Sequence, residues 1–305
     1  AGSSWYFLRY ADPHNDKEFA SMDKLRYWNP VDWYNGGMEH VTRHMIYSRF
    51  WHRFLYDIGC VPNEEPYAKR TAQGLILGPD GDKMSKTKGN VVDPNEVVDA
   101  CGADVLRTYI LFMGDYEKAA PWSEKGVNGC KRFLNRVWQL NDMLTDADEY
   151  SPELESKMHK AVKKVSEDYE TLKYNTAIAT LMALLNDIYD RGSVTRAELR
   201  TFLTLLNPVA PHITEEMWEM NGFGGMLAVS PWCTYDEDKI KDSTLSIPVQ
   251  ICGKLRSVIS VDADADKQQV IDTAKADSKI ASMLNGKTIV KEIYVPGKMV
   301  NFVIK

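Results

Sequence analysis

Two spacings of apolar residues divide this chain. Between about residues 126 and 225 apolar side chains recur every three to four positions, and from residue 247 they alternate with polar ones. The first spacing keeps a stripe on one helical face, and the second keeps one face of a strand apolar. Cys130, Phe133, Leu134, Val137 and Trp138 form one stripe, with Lys131, Arg132, Asn135 and Arg136 off it. Leu154, Met158, Val162, Val165 and Tyr169 form a second, in a helix starting at Ser151-Pro152. Ile178, Leu181, Met182, Leu185 and Ile188 form a third, from about Thr176. Thr195 and Glu198 have capping-box spacing and open a fourth helix that stops before Pro208. Thr214-Glu215-Glu216 opens a short fifth, ending near Gly222, Gly224 and Gly225. Residues 126–225 therefore read as an α-helical bundle.

Glycines, Pro231 and an acidic cluster follow, and residues 226–244 read as a linker. Ile247, Val249 and Ile251 then alternate, a turn is expected at Gly253-Lys254, and Leu255 to Val261 is the hairpin partner. A polar helix near Lys267 to Lys275 precedes a second hairpin, Thr288 to Val295 and Met299 to Ile304, joined at Pro296-Gly297. Residues 245–305 form a small α/β domain.

Upstream the pattern is mixed. The run Gly74-Leu75-Ile76-Leu77-Gly78 suits a buried strand, and Glu39 to Tyr56 is a breaker-free helix carrying Val41, Met45, Phe50 and Phe54. Residues 1–92 fit the C-terminal half of a Rossmann-like α/β catalytic domain. Asp93-Pro94-Asn95-Glu96 starts a helix, with Asp93 as cap, and 93–125 is a connecting helical region. The chain opens on the aromatic segment Ser3 to Tyr10, as though inside a core, so a fragment of a longer protein is expected.

Composition changes little in this picture. With 305 residues and 44% apolar content, two or three domains are expected. No apolar run is long enough to span a bilayer. The five scattered cysteines form no C-x-x-C pair, which suits a reducing cytoplasm. The net charge of −6 argues against a nucleic-acid binder only at long range, because phosphate contacts need just a local basic stripe.

The candidate chemistry is concentrated in three places. Lys83-Met84-Ser85-Lys86-Thr87 follows the glycine-punctuated turn Gly78-Pro79-Asp80-Gly81, and flexible lysines can follow a polyphosphate whose charge moves during reaction. Tyr34-Asn35-Gly36-Gly37-Met38-Glu39-His40 pairs glycines, which admit a flat ligand, with a carboxylate able to accept ribose hydroxyls. His40 and His44 share a helical face in this reading. With no cysteine or third histidine nearby, they line a ligand rather than hold a metal. Ser3-Ser4-Trp5-Tyr6 reads as core aromatics with two hydroxyls.

The lysine string resembles the Lys-Met-Ser-Lys-Ser signature of class I aminoacyl-tRNA synthetases, with Thr87 replacing the last serine. Gly36-Gly37-Met38-Glu39-His40 resembles the Gly-Gly-x-Glu-His of the leucyl branch, where other class I enzymes carry Gly-x-Asp. Ser3-Ser4-Trp5-Tyr6 is similar to one wall of that branch's leucine pocket. Pro208 to Trp218 resembles a string in anticodon-binding bundles, where His212 is structural. Val249 to Lys254 and Val295 to Lys298 resemble the ends of the bacterial C-terminal tRNA-contacting domain.

The resemblance covers the chain in family order. It implies ATP-dependent activation of leucine and transfer to tRNA-Leu by a monomeric cytoplasmic ligase that uses ATP with Mg2+, with no metal held by this segment. It makes Lys83, Ser85, Lys86 and Thr87 catalytic and gives Gly36, Gly37, Glu39 and His40 to ATP and the adenylate. Ser3, Tyr6, Tyr34 and His44 would surround leucine; Arg132, Arg136, Lys254 and Lys298 would meet tRNA. A valyl, isoleucyl or methionyl enzyme, or a non-catalytic tRNA-binding derivative, is the alternative. The chain carries no His-x-Gly-His string and no editing domain. By itself it is expected to be inactive in leucine-dependent ATP–pyrophosphate exchange.

Overall fold

The computed structural model describes residues 2–240, 244–262 and 265–305. The first residue, the end of the expected linker (241–243) and residues 263–264 of the expected C-terminal domain lie outside the described residues. The chain divides into two units, residues 1–150 with 161–233, and residues 151–160 with 234–305.

The first unit begins with α1 (Tyr6–Tyr10), α2 (Met22–Trp28), β1 (Tyr34–Gly37), α3 (His44–Asp57) and β2 (Arg70–Gln73). β1 and β2 pair in parallel, Tyr34 opposite Arg70 and Gly37 opposite Gln73, with α3 in the crossover. β3 (Ile76–Leu77), α4 (Pro94–Cys101), α5 (Ala103–Phe112) and β4 (Ala120–Pro121) follow, and β3 pairs with β4 in parallel. The expected strand around Gly74 to Gly78 shortens to two paired residues. The Gly74 amide turns aside to Tyr116 O, and its α-carbon sits so close to the Lys118 carbonyl that a side chain would collide. Asp93 caps α4 as expected, accepting from the Asn95 amide.

The helix expected from Glu39 begins only at His44. Arg43 takes φ −125° and ψ −97°, outside the helical region, and Met38–His40 form a separate 3-10 turn. His40 and His44 therefore do not share a helix. The expected apolar face is also not the buried one: Phe50 is 75% exposed, and Val41 and Phe54 are exposed as well. Ser48, His52 and Leu55 turn inward instead. Burying this polar stripe is made possible by local partners, since Ser48 Oγ accepts from Tyr67 OH at 2.8 Å and His52 Nε2 meets Asn63 O at 2.8 Å. Leu55 joins Leu8, Ala20, Leu25 and Val61 in the local core.

The helical part comprises α6 (Glu124–Trp138), β5 (Leu144–Thr145), α7 (Glu155–Glu170), α8 (Tyr174–Arg191), β6 (Val194–Thr195), α9 (Arg196–Leu206) and α10 (Pro211–Met220). The predicted stripe of α6 is buried at Cys130, Phe133, Leu134 and Val137, while Trp138 is exposed. α7 starts at Glu155, after a turn that uses Ser151 O as acceptor. The Thr195–Glu198 capping box forms in full, and the Glu198 carboxylate also receives both guanidinium nitrogens of Arg191. α10 starts at Pro211 rather than Thr214. Proline suits the first helical position, and Asp104 from α5 accepts the Ile213 amide at 2.7 Å and faces His212 Nδ1 at 2.8 Å. His212 is thus a structural partner, as its string implied. The segment after α10 is tied down: Glu215 accepts the amides of Leu227 and Ala228, and Trp232 donates to Ser166 Oγ.

In the second unit, after α11 (Glu237–Ile240), come β7 (Thr244–Ile251), β8 (Lys254–Asp262), α12 (Lys267–Ala276), α13 (Ser278–Leu284), β9 (Ile289–Val295) and β10 (Met299–Ile304). The sheet order is β8-β7-β10-β9, with β7 and β10 parallel at its centre. Ile247, Val249 and Ile251 face a core completed by Val270, Ile271 and Phe302. The first hairpin turns at Cys252-Gly253, with φ of 49° and 78°, one residue earlier than expected. α13 was not expected from the pattern; Asp277 caps it through the Lys279 and Ile280 amides.

Candidate functional site

β1 and the start of α3 bring three of the expected residues together. Tyr34 opens β1, His44 opens α3, and Tyr6 lies on α1. The Tyr34 hydroxyl sits 2.9 Å from the Tyr6 hydroxyl and 2.5 Å from His44 Nε2. Behind it, the Tyr67 ring packs at a centroid distance of 4.1 Å. Burial raises the Tyr34 phenol well above its ordinary range, helped by the bond with Tyr6. Burial, with the nearby His40, lowers His44. Both shifts favour the uncharged forms of the two side chains at neutral pH. The result is a wall of ring faces with fixed hydroxyl and imidazole edges. Ser3, by contrast, lies exposed in the turn Gly2–Ser4, and among the described residues it makes no hydrogen bond to these three.

The glycine strand continues into this wall. Gly36 has open space over its α-carbon, and at Gly37 a side chain would collide with the carboxylate of Glu39, which folds back over the backbone. Arg70 from β2 steadies the strand by donating to Gly37 O at 3.1 Å. Glu39 and His40 stand exposed in the 3-10 turn, and the His40 and His44 ring centroids are 6.3 Å apart. A carboxylate held over a bare backbone can accept a pair of vicinal hydroxyls on a flat ligand.

The lysine loop leaves β3 and is held at its base. Leu77 bridges Lys83, and the Gly78 amide donates to Asp82 O at 2.8 Å. Asn90 closes the other end, its Oδ1 accepting the Ser85 amide at 2.8 Å. Lys88 is committed to Asp82 at 2.7 Å. Lys83 and Lys86 are exposed and carry no ion pair among the described residues, so both ammonium groups are available to an anion. Thr87 lies in the exposed turn beside Lys86.

The four residues expected at tRNA are unlike one another. Arg136 donates to Asn186 Oδ1 at 2.8 Å and lies 4.3 Å over the Tyr189 ring, bracing α6 against α8. Arg132 is exposed on α6. Lys254 and Lys298 are exposed at the two hairpin turns of the second unit. Tyr67, Arg70, Asp80 and Asn90 support the site and were not anticipated. Of these, Asp80 in the turn before the lysine string and Asn90 shortly after it had a sequence signal. Among the described residues no group of three or more His, Cys, Asp or Glu could hold a metal, and no helix is long and apolar enough to cross a membrane.

Comparison with known proteins matches this layout. Residues 17–123 match the family model for tRNA synthetases class I (I, L, M and V), and residues 152–271 match that for the anticodon-binding domain of tRNA ligase. All of this chain aligns, at 58% identity over 307 residues, with leucine–tRNA ligase of Alkaliphilus oremlandii. It spans 38% of that curated relative's length. Among solved structures it resembles the Agrobacterium radiobacter K84 agnB2 LeuRS, in ternary complex with tRNA and LeuAMS. That match has a TM-score of 0.78 and 33% identity, and covers 99% of this chain and 42% of the other. Methionyl-tRNA synthetase of Mycobacterium tuberculosis shares the fold, with TM-score 0.50 and 18% identity over 68% of this chain and 46% of its own. The multidomain class I layout expected from the sequence is thus borne out.

Proposed function

We propose that this chain supplies the amino-acid wall, the adenylate-binding strand and the phosphate-handling loop of a leucine-activating site, followed by tRNA-binding domains. The observation that carries the reading is Tyr34, bonded to both Tyr6 and His44 beside the Gly37–Glu39 backbone. In the first step a leucine carboxylate oxygen attacks the α-phosphorus of ATP, the bond to the bridging oxygen breaks, and pyrophosphate leaves. Lys86 and Lys83 neutralise charge that grows on the leaving phosphates, an effect larger in the transition state than in the ground state. Ser85 and Thr87 hold the loop or a phosphate oxygen. Glu39 accepts the ribose hydroxyls, Gly36 and Gly37 pass under the adenosine, and His40 lines it. Tyr6, Tyr34 and His44, with Ser3 at the rim, surround leucine.

In the second step a 3′-terminal hydroxyl of tRNA-Leu attacks the leucyl carbonyl carbon and AMP leaves. Mg2+ travels with the ATP phosphates; no resident metal is assigned. Arg132, Lys254 and Lys298 are the cations available to tRNA phosphates. We place the protein in the cytoplasm, a placement supported by five free cysteines, and take it to act as a monomer.

A chimera tests this reading, in which the chain replaces the matching 307-residue stretch of the Alkaliphilus oremlandii ligase. Tyr34→Ala in that chimera should raise the leucine KM in ATP–pyrophosphate exchange while leaving the ATP KM near its starting value. An unchanged leucine KM would remove Tyr34 from the amino-acid pocket.

A further inference from the structure

One side chain staples the lysine loop from both ends. Asn90 Nδ2 donates to both Asp80 carboxylate oxygens at 3.0 Å, and to Lys83 O at 3.4 Å. Its Oδ1 accepts the Ser85 amide at 2.8 Å. Asp80 Oδ1 in turn accepts the Asp82 amide at 3.1 Å. One Asp–Asn pair therefore fixes the backbone at 82, 83 and 85, on both sides of Lys83 and immediately before Lys86. Gly78 makes room for it: a β-carbon there would lie 2.7 Å from Asn90 Nδ2 and 2.7 Å from Asp80 Oδ1. Ten residues separate the partners, so the bond closes the loop rather than serving a local turn.

The pair also sorts the loop's cations. The turn it creates lets Asp82 take Lys88 at 2.7 Å, leaving Lys83 and Lys86 exposed and without an ion pair among the described residues. A free loop would let Asp82 meet any of the three lysines. The Asn90 bond holds Asp80 below its usual carboxylate range, so the acceptor stays ionised.

We propose that Asp80 and Asn90 are positioning residues that set Lys83 and Lys86 in register for the pyrophosphate leaving group, with Lys88 withdrawn from it by Asp82. Neither member of the pair touches the reacting atoms; both act through the backbone that carries the lysines. The inference rests on the proposed leucine activation for its kinetic consequence, and on this chain alone for its structural one.

Two measurements test it. In the chimera, Asn90→Ala and Asp80→Ala should each lower kcat of leucine-dependent exchange roughly tenfold to a hundredfold, the cost of slight misplacement. The leucine KM should stay unchanged, because the leucine wall lies on other elements. The exchanged pair Asp80→Asn with Asn90→Asp restores a donor facing a carboxylate and should recover most of that loss. Recovery in the exchanged pair would show that the bond between the two side chains, and not either side chain alone, carries the effect. Wild-type kcat in Asn90→Ala, or no recovery in the exchanged pair, would overturn the proposal. In the unsubstituted chain, hydrogen exchange should find the Ser85 amide protected, and Asn90→Ala should abolish that protection; equal exchange in both would also overturn it. If the unsubstituted chimera shows no leucine-dependent exchange, the proposed function fails while the hydrogen-exchange result still decides the staple.

Discussion

The Tyr34 hydroxyl lies 2.5 Å from His44 Nε2, joining the first residue of β1 to the first residue of α3. A neutral His44 lets this cluster stay uncharged, whereas a protonated imidazole brings a positive charge against the two phenols. His44 titrates below 6.5 when folded, chiefly because it is buried, so the folded protein takes up fewer protons than the unfolded chain as pH falls past 6.5. Its contribution is intact above that value and is lost as pH drops through the lowered folded pKa. In the chimera the leucine KM should therefore rise as pH falls through the lowered folded pKa of His44. His44→Gln, which cannot titrate, should flatten that rise. A steep rise persisting in His44→Gln would assign the titration to another group.

Lys86 stands exposed on a stapled loop, with no ion pair among the described residues. Lys86→Ala should lower kcat for exchange by about a hundredfold to a thousandfold, the usual cost of one preorganised contact to developing charge. The leucine KM should hold. Steady-state exchange at varied leucine and ATP separates the two parameters, and a pure KM effect would contradict a transition-state role.

Glu198 is fully buried, caps α9 through the Thr195 amide and receives the Arg191 guanidinium. Glu198→Ala leaves that cation without its carboxylate and should destabilise the helical part by about 3–5 kcal/mol. Thr195→Ala removes only the cap hydroxyl and should cost about 1 kcal/mol. Urea unfolding followed by helical circular dichroism would rank the two, and equal losses would contradict the ion pair's importance.

Asp104 accepts the Ile213 amide at 2.7 Å from 109 residues away and acts as the cap of α10. Asp104→Ala should lower stability by about 0.5–2 kcal/mol, the range for a lost cap. Thr214→Ala, which leaves that cap intact, should leave the Ile213 amide protected from hydrogen exchange. Loss of protection in Thr214→Ala but not in Asp104→Ala would return the helix start to Thr214.

What the sequence made legible was local. Asp93 before Pro94, Thr195 three residues before Glu198, and the alternation from Ile247 to Ile251 each place both partners within a few positions, and each forms as read. Several of the misreadings share one cause, a partner distant in sequence. α10 begins early because its cap is Asp104, and Arg136 is occupied because Asn186 lies 50 residues on. α3 buries Ser48 and His52 because Tyr67 and Asn63 satisfy them, so polarity misled the choice of face. In the candidate site, the Tyr6, Tyr34 and His44 grouping was anticipated through motif resemblance. The Asp80–Asn90 staple was not, because no periodicity marks a bond that closes a loop.

The most direct measurement is amino-acid-dependent ATP–pyrophosphate exchange by the chimera, run with leucine, isoleucine, valine and methionine, and beside it by this chain alone. The account predicts exchange by the chimera that depends on leucine and is weak with the other three, and none by the chain alone, which carries no His-x-Gly-His string. Exchange by the chimera that is equal with isoleucine or absent with leucine, or robust exchange by the chain alone, would contradict it.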